Sequence, residues 1–406
     1  MKILLVNDYG TATGGAELQM LALRQGLRDR GHEVRLFSSR ASLVPSPLLA
    51  DYHCYGSTEK MQVLSQTLNP SAYWNLRSTL RSFQPDVVHV RMFMWQLSPL
   101  ILPLLQTVPS VYQTAVYKAI CPLGTKVLPD GRPCTASVGT ACLQSCLTPQ
   151  TWLPMMLQHQ LWQRWRSAFD SVVALSHTMQ KQLESAGITP VEVIHNGVAL
   201  CPQRPPLTQP PTVAFAGRLV PEKGLEVVMR AIARLRKDIS AVRLLVAGQG
   251  TEAESLRQCA RQLQMDDCIT WLGHLPRQEM EQHFASAWVQ VMPSLWEEPF
   301  GNVTTEAMMR GTAVVASRIG AQPEIVAEGI TGFLVSPGNV PEWTERLRPL
   351  LQDPTLAETM GQAGRQRALT HFSEDHRTDR FIELYRRISA DHSGADSSKV
   401  ASQVWV

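Results

Sequence analysis

The sequence lacks the features that mark secreted, membrane-spanning and nucleic-acid-binding proteins. The opening run Met1-Lys-Ile-Leu-Leu-Val-Asn7 is interrupted too early for a signal peptide. The longest apolar stretch, around residues 98–105, contains two prolines and is far shorter than a membrane span. No block of Lys and Arg indicates a nucleic-acid partner. We therefore expect a cytoplasmic protein that opens with a buried strand and binds no nucleic acid.

Length and composition indicate a globular protein of two domains. The chain has 406 residues, of which 44% are hydrophobic and 18% are charged. Its net charge of +3 is unevenly distributed. Residues 1–196 contain 16 Lys and Arg against 11 Asp and Glu (+5), and the remainder contains 22 against 24 (−2). A basic first half could favour anionic lipids or phosphorylated ligands, although scattered solvated charge is the simpler explanation.

Short runs rich in Val, Ile and Leu alternate with amphipathic segments along the chain. This pattern predicts α/β domains in which crossover helices connect parallel strands. The predicted strands of the first domain are Lys2–Asn7, Glu33–Phe37, Asp86–Val90, Ser110–Gln113, Ser171–Leu175 and Val191–Ile194. Those of the second are Thr212–Ala216, Val242–Ala247, Ile269–Leu272, Val289–Met292, Ala313–Ala316 and Gly332–Val335. The sequence thus predicts two doubly wound, Rossmann-like domains.

A proline-rich segment separates the two domains. Five prolines within residues 201–211 predict a linker. We assign residues 1–197 to the N-terminal domain and residues 198–372 to the C-terminal domain. A helix over about residues 373–388 is expected to follow, and the small polar residues 389–406 are expected to be disordered. The strand-end loops of the two domains could face each other across a cleft.

Two cations follow the first strand of the C-terminal domain. Gly217-Arg218 and Lys223-Gly224 lie where α/β sheets bind ligands. Gly217 permits close approach of the backbone, Arg218 can bind phosphate oxygens through its guanidinium fork, and Lys223 adds a mobile point charge. Such cations would stabilise the charge that develops on a departing nucleoside diphosphate. Taken alone, the segment is explained equally well as a surface loop with two solvated charges.

Two acids occupy a corresponding position after a later strand. Glu298 could accept hydrogen bonds from sugar hydroxyls, and Glu306 could bind a ribose diol. Between them begins a predicted helix, whose first N–H groups could bind an anion. The residues at this helix start are Phe300, Gly301, Asn302 and Val303. The acids could instead only stabilise the helix dipole, but the two cations would then remain unexplained.

The turn after the first strand of the chain contains two adjacent glycines. Gly14 and Gly15 precede the first helix, in a segment that does not match the dinucleotide fingerprint Gly-x-Gly-x-x-Gly. Their backbone could form the floor beneath a diphosphate and the reacting sugar. A tight turn explains the pair almost as well.

Short motifs along almost the whole chain resemble those of glycosyltransferase family 4, whose members have the GT-B fold. The order and spacing of these motifs are more specific than any one of them. The matching stretches are residues 14–17, 85–90, 173–176, 193–198, 217–224, 246–250, 292–294, 298–306, 316–324 and 328–335.

The resemblance implies that a hexose or similar sugar is transferred from UDP- or GDP-sugar to a hydroxyl of a saccharide or lipid-linked glycan, with retention at the anomeric carbon. It implies that Arg218 and Lys223 bind the diphosphate, Glu298 the donor sugar and Glu306 the ribose. The first three of these residues would carry catalysis. It also implies that the C-terminal helix packs back onto the N-terminal domain. Beyond the nucleotide-sugar co-substrate, we expect no cofactor.

The chain departs from the family pattern at three places. Members commonly have a His in the loop after the fourth strand, where this chain has Gln113-Thr-Ala115. A second His often stands at the position of Arg91, and the usual Gly-Gly pair before Pro-Glu is Gly320-Ala321. Two alternatives therefore stay open: a GT-B epimerase that acts on sugar nucleotides, and a donor-binding subunit without catalytic activity.

Four cysteines lie in one loop of the N-terminal domain, at Cys121, Cys134, Cys142 and Cys146. Four thiols could bind a structural zinc ion or form disulfides, although their intervals lack a Cys-x-x-Cys motif. The chain contains no Asp-x-Asp motif, and Arg218 with Lys223 can replace a catalytic metal ion. We therefore expect no catalytic metal.

A segment rich in Trp and Met follows this loop. It contains Arg164 and Arg166 together with Trp152, Met155, Met156, Leu161, Trp162 and Trp165. A helix of this composition could rest on the inner face of a membrane, which would suit a lipid-linked acceptor. A core helix is the commoner explanation.

Overall fold

The runs rich in Val, Ile and Leu form two sheets, each within its own structural unit. A computed structural model describes residues 1–403 except 43, 60, 61 and 130. Unit 1 contains Met1–Pro129, Cys134–Gly197 and the chain from Glu374 onward. Unit 2 is formed mainly by Val198–Ser373.

Seven parallel strands form the sheet of unit 1. They are β1 (Lys2–Tyr9), β2 (Glu33–Ser39), β3 (Tyr52–Cys54), β4 (Val87–Val90), β5 (Ser110–Gln113), β6 (Ser171–Ala174) and β7 (Val191–Val193). Their order is β3-β2-β1-β4-β5-β6-β7, so the winding direction reverses between β1 and β4. The six predicted strands are confirmed, and the short edge strand β3 was not predicted.

Helices connect these strands. They are α1 (Gly15–Asp29), α2 (Gln62–Thr67), α3 (Pro70–Phe83), α4 (Thr140–Ser145), α5 (Pro149–Trp165), α6 (His177–Ser185) and the C-terminal α14 (Glu374–Gln403). Apolar residues of α14, including Phe381 and Tyr385, share a core with Leu5 of β1 and Leu23 of α1. The C-terminal helix is therefore part of unit 1.

Helix α14 extends beyond its predicted end. The sequence analysis ended the helix at residue 388 and expected residues 389–406 to be disordered, whereas residues 389–403 continue the helix. Extending an existing helix requires no new nucleus, and this stretch contains one Gly and no Pro. Residues 404–406 lie outside the described residues.

The sheet of unit 2 has six parallel strands. They are β8 (Thr212–Ala216), β9 (Arg243–Ala247), β10 (Ile269–Gly273), β11 (Val289–Met292), β12 (Ala313–Ser317) and β13 (Gly332–Val335). The order β10-β9-β8-β11-β12-β13 makes β8 and β11 neighbours, with Val213 opposite Val289. The winding direction reverses between these two strands, and ligands of open α/β sheets bind at such a reversal.

Seven helices surround this sheet in the part of the chain that is described. They are α7 (Leu225–Leu235), α8 (Ala253–Gln262), α9 (Arg277–Phe284), α10 (Asn302–Arg310), α11 (Gln322–Ile325), α12 (Val340–Gln352) and α13 (Pro354–His371). The proline-rich segment predicted as a linker is attached to this unit. Arg204 donates to the carbonyl oxygen of Gly311 at 3.0 Å, and the N–H of Leu207 donates to Glu358 at 2.8 Å.

Helix α5 places part of its predicted membrane face in the core. Met155 is 8% exposed and Trp162 is fully buried. The Trp162 ring packs 5.4 Å from that of Tyr112 and 5.8 Å from that of Phe93. The core explanation is therefore correct for these two residues. Among the described helices, none is long and apolar enough to span a membrane.

Candidate active site

Two loops meet at the carboxyl ends of β8 and β11 in unit 2. The loop after β8 contains a single turn of 3-10 helix, Pro221–Lys223, before α7 begins. The loop after β11 leads to Glu298 and then to α10. The N–H of Leu295 in the second loop donates to the carbonyl oxygen of Glu222 in the first at 2.8 Å. This bond places Lys223 beside the second loop.

Gly224 allows the two loops to approach each other. Its φ of +65° is a left-handed conformation that side chains disfavour. A Cβ atom at this position would lie 2.2 Å from the carbonyl oxygen of Pro293. Only glycine satisfies both conditions. The backbone geometry therefore requires Gly224, which directly follows Lys223.

Lys223 and Glu298 form an ion pair that is largely shielded from solvent. The Lys223 Nζ lies 2.7 Å from Oε1 of Glu298, and the side chains are 15% and 8% exposed. The Ser294 hydroxyl also donates to Oε1. Among the described residues, no hydrogen bond reaches Oε2 of Glu298. The pair therefore retains an acceptor atom and two ammonium protons that a ligand could use.

Arg218 is not joined to this pair. Its side chain is 65% exposed, and its guanidinium lies 3.4 Å from the Glu222 carboxylate. An exposed contact of this length holds the side chain weakly. The structure therefore brings together Lys223 and Glu298 of the predicted catalytic residues, and leaves Arg218 on the neighbouring surface of the same loop.

The start of α10 is fixed by a buried glutamine. Gly301 is the N-cap with φ +136°, and no side chain caps it. The Gln322 amide donates to the carbonyl oxygen of Phe300 at 3.2 Å and accepts from the Thr304 hydroxyl at 2.8 Å. A Cβ atom on Gly301 would lie 2.2 Å from this amide. The helix N-terminus is therefore held rigidly beside the loop that carries Glu298.

The remaining predicted donor residues of unit 2 lie on α10. Asn302 and Val303 form its first turn, both partly exposed, and Glu306 lies one turn further along, also partly exposed. Gln290 on β11 donates to the carbonyl oxygen of Val303 at 3.0 Å. This bond ties the helix to the strand that leads into the site.

The glycine turn of unit 1 contains a carboxylate that the sequence analysis did not place. A Cβ atom on Gly14 would lie 2.3 Å from Oε2 of Glu17, which is 6% exposed. Burial raises the pKa of Glu17, although the hydrogen bonds of its carboxylate with its own N–H and with the Asn7 side chain act to lower this pKa. Gly14 thus makes room for this acid, whereas Gly15 is exposed. The predicted role of the two glycines beneath the diphosphate stays a prediction.

Two of the departures from the family pattern contact each other in unit 1. Arg91, which is 2% exposed, donates at 2.6 Å to Oε1 of Gln113 and at 3.2 Å to Oδ1 of Asn196. Burial lowers the pKa of Arg91 to about 9. Arg91, which occupies the position of one family His, therefore binds Gln113 in the segment where the other family His is missing. This contact joins the ends of β4 and β5.

The four loop cysteines are free thiols, each partly buried. Burial raises the pKa of Cys146, and the nearby thiols of Cys134, Cys142 and Cys121 add to this effect. The disulfide alternative is therefore not realised. Within the described ranges, no three His, Cys, Asp or Glu side chains converge to hold a metal ion, so the zinc alternative gains no geometric support.

The sequence analysis missed the residues that hold the site in place. Ser294 donates to Glu298, Glu222 connects the two loops and contacts Arg218, and Gln322 fixes the start of α10. Each is a common polar residue whose role appears only when the strands are placed side by side. The signal available in the sequence was their position within the matching stretches 217–224, 292–294 and 316–324.

Solved structures resemble this fold over almost its full length. The sucrose-phosphate synthase of Thermosynechococcus elongatus has a TM-score of 0.71 at 20% identity, covering 96% of this chain and 100% of that one. Anabaena Alr3699/HepE, solved with UDP and glucose, has a TM-score of 0.67 at 20% identity, covering 95% and 99%. The two doubly wound units thus form a GT-B fold, as the motifs predicted.

Two family models match consecutive parts of the chain. The model for Glycosyltransferase Family 4 matches residues 13–200, and that for Glycosyl transferases group 1 matches residues 202–367. Together the two matches extend from residue 13 to residue 367, and they confirm the resemblance to glycosyltransferase family 4 found in the sequence.

Curated relatives match part of the chain at moderate identity. A glycogen synthase of Mycobacterium tuberculosis is 34% identical over 210 residues, which is 50% of each protein. A GDP-mannose-dependent alpha-(1-6)-phosphatidylinositol monomannoside mannosyltransferase of Mycolicibacterium smegmatis is 36% identical over 180 residues, covering 43% of this chain and 47% of that one. The chain spans about half the length of the curated relatives it matches.

Proposed function

We propose that the protein transfers a hexose or similar sugar from a UDP- or GDP-sugar to a hydroxyl of a saccharide or lipid-linked glycan, with retention at the anomeric carbon. The observation that carries this proposal is the shielded Lys223–Glu298 pair at the reversal of the unit 2 sheet. The matches to the two glycosyltransferase family models support it. Names of relatives include both UDP-containing and GDP-dependent proteins, so either nucleotide is compatible with the family.

In this mechanism Lys223 stabilises the leaving group. Breakage of the bond between the anomeric carbon and the diphosphate oxygen transfers the electron pair to that oxygen. The Lys223 ammonium has two N–H groups that are not hydrogen-bonded to Glu298. These can donate hydrogen bonds to oxygens of the diphosphate. Because Glu298 already holds the ammonium in place, little reorganisation is needed as the charge develops.

Glu298 orients the donor sugar. Its Oε1 accepts from Lys223 and Ser294, whereas Oε2 has no partner among the described residues. That oxygen can accept hydrogen bonds from sugar hydroxyls. One carboxylate then couples the position of the sugar to that of the cation beside its leaving group. We assign no side-chain nucleophile.

Arg218 and the start of α10 complete the proposed donor site. Arg218 would leave its exposed contact with Glu222 and bind the diphosphate through its guanidinium fork. The backbone of Gly301, Asn302 and Val303 would add helix N-terminal N–H groups. Glu306, one turn into the helix, would bind the ribose. Beyond the nucleotide sugar, no cofactor is required.

The proposal is tested by following sugar transfer directly. The protein is incubated with UDP-glucose or GDP-mannose, with and without a panel of saccharide acceptors, and the products are followed by NMR. We expect an α-linked product from an α-linked donor, and loss of product with Lys223→Met or Glu298→Gln. A new donor epimer formed without acceptor would support the epimerase alternative instead. Donor binding without any product would support a non-catalytic subunit.

A further inference from the structure

A cavity of about 460 Å³ lies at the edge of the unit 1 sheet. It is bounded by helix α6, by the edge strand β7 with the two residues that follow it, and by the first two turns of α14. A volume of this size accommodates a small organic ligand. The cavity belongs to unit 1, whereas the Lys223–Glu298 pair belongs to unit 2.

Arginine and histidine side chains from all three bounding elements line this cavity. His177 begins α6, and His195 follows β7. His376, Arg377 and Arg380 lie on α14. Because Arg380 follows the other two by four and three residues, these three side chains lie on neighbouring positions of one helix face.

Arg377 is a buried cation with donors that are not hydrogen-bonded. It is 2% exposed, and its Nη1 donates at 3.2 Å to the backbone carbonyl oxygen of Gln19 and also to Oε1 of that residue. Among the described residues, neither Nε nor Nη2 of Arg377 has a hydrogen-bond partner. Burial lowers the pKa of Arg377 to about 10, so the guanidinium is still charged at neutral pH. A buried charge with unsatisfied donors is costly, and an anion in the cavity would reduce this cost.

The acids around the cavity are engaged by other arginines. Glu192 also lines the cavity, and its Oε1 accepts from Arg387. Asp375 and Asp379, on the first turns of α14, bind Arg30 at 3.0 and 2.6 Å. These carboxylates are therefore paired with cations outside the cavity lining.

Two further acids of α14 act on the arginines of the cavity. The Arg380 side chain is 47% exposed, and its contact with the exposed Glu383 is 3.9 Å long, which holds it weakly. The charge of Glu374 favours the protonated form of Arg377, although Glu374 does not line the cavity. Arg380 can therefore turn toward a ligand, and Arg377 keeps its positive charge.

A metal ion does not suit this cavity. The rings of His177 and His195 are 6.4 Å apart, and within the described part of the chain no three His, Cys, Asp or Glu side chains converge to hold a metal. Arg377 and Arg380 would also repel a cation. A phosphate group, by contrast, accepts charge-assisted hydrogen bonds from guanidinium and imidazole N–H groups.

We propose that this cavity binds the phosphate group of a small molecule. His376 and Arg380, which are both exposed, would contact the phosphate oxygens, and Arg377 would add its positive charge from the wall of the cavity. This inference does not depend on the proposed sugar transfer, because it uses none of the residues assigned to the donor site. A protein that fails to transfer sugar could still bind phosphate here.

Calorimetric titration of the full chain tests this proposal. Inorganic phosphate and glycerol 3-phosphate are titrated into wild type, Arg380→Gln and Arg386→Gln, with glycerol as the neutral control. We expect both phosphate compounds to bind wild type, glycerol not to bind, and the affinity for phosphate to fall about tenfold in Arg380→Gln. Arg386 is the matched control, since it is exposed on the same helix and does not line the cavity. Arg386→Gln should bind like wild type, and the melting temperatures of both variants should be unchanged.

Arg218→Met distinguishes this cavity from the proposed donor site, and should leave the affinity for both phosphate compounds unchanged. The proposal is wrong if neither compound binds wild type, or if Arg380→Gln and Arg386→Gln bind equally well. A loss of affinity in Arg218→Met but not in Arg380→Gln would also overturn it, because the phosphate would then occupy the donor site. If the proposal holds, tighter binding of glycerol 3-phosphate than of inorganic phosphate identifies a phosphate ester as the ligand, and equal affinity identifies the free ion.

Discussion

Replacement of Lys223 by methionine should destabilise unit 2 as well as remove activity. Methionine fills a similar volume but leaves the Glu298 carboxylate, which is 8% exposed, without its cation. Removing one partner of a fully buried pair costs about 3–5 kcal/mol. Here Lys223 is 15% exposed and Ser294 still donates to the carboxylate, so we expect a loss of about 2–3 kcal/mol, at the lower end of such effects.

The assay is thermal or denaturant unfolding of three variants. A loss of this size should lower the melting temperature of a unit of this length by about 5–10 °C. Glu298→Gln should cost less, about 1 kcal/mol, because the freed ammonium can turn toward solvent. The double variant Lys223→Met/Glu298→Gln should be more stable than the sum of the single effects predicts, by about 1 kcal/mol or more. If Lys223→Met changes the unfolding free energy by less than about 0.5 kcal/mol, a shielded pair is not present.

Three further predictions concern the backbone, pH and metal ions. Gly224→Ala, which would place a Cβ atom 2.2 Å from a carbonyl oxygen at φ +65°, should destabilise the protein by about 2 kcal/mol or more. Gly139→Ala, where a Cβ atom meets nothing within 4 Å, should change stability by less than about 0.5 kcal/mol in the same melts. Burial lowers the pKa of His89 to about 3. As the pH falls, His89 is therefore protonated in the unfolded state before it is protonated in the folded state. The stability that neutral His89 contributes is complete above pH about 6.5 and is lost as the pH falls toward 3. Between pH 6.5 and 5, wild type should therefore lose about 2 kcal/mol more than His89→Gln in denaturant titrations, and equal pH slopes would contradict this. In the proposed mechanism Arg218 and Lys223 supply the positive charge at the diphosphate, so EDTA should leave turnover unchanged; a loss that Mg²⁺ or Mn²⁺ restores would refute that role.

The strands of both sheets could be predicted because each is a short apolar run at a regular interval. The exception is β3, whose three residues Tyr52–Cys54 are too few to show alternation. The end of α14 was wrong because the small polar residues after Ile388 resemble a disordered tail, although they contain no Pro that would stop the helix. Local composition predicted the starts of the helices and strands better than their ends.

The candidate site was predicted as a set of residues, but not as a set of contacts. Lys223 and Glu298 were recognised because each follows a strand, yet they lie 75 positions apart and meet only because β8 and β11 are neighbours. The sequence grouped Arg218 with them, whereas its guanidinium contacts Glu222. In α5, composition could not separate the buried Trp162 from the exposed Leu153, because the direction of a helix face depends on what packs against it.

Calorimetric titration with a nucleotide sugar tests the central claim most directly. UDP-glucose and GDP-mannose are titrated into wild type and into Arg218→Met, Lys223→Met and Glu222→Gln. We predict saturable binding of at least one donor, and a decrease in affinity of about tenfold or more for the first two variants, each of which removes a charge-assisted contact that we propose to the diphosphate. Glu222→Gln, which only frees Arg218 from its surface contact, should bind the donor at least as well as wild type. Equal donor affinity in wild type and Lys223→Met would contradict the account, because the ammonium held by Glu298 would then not contact the diphosphate.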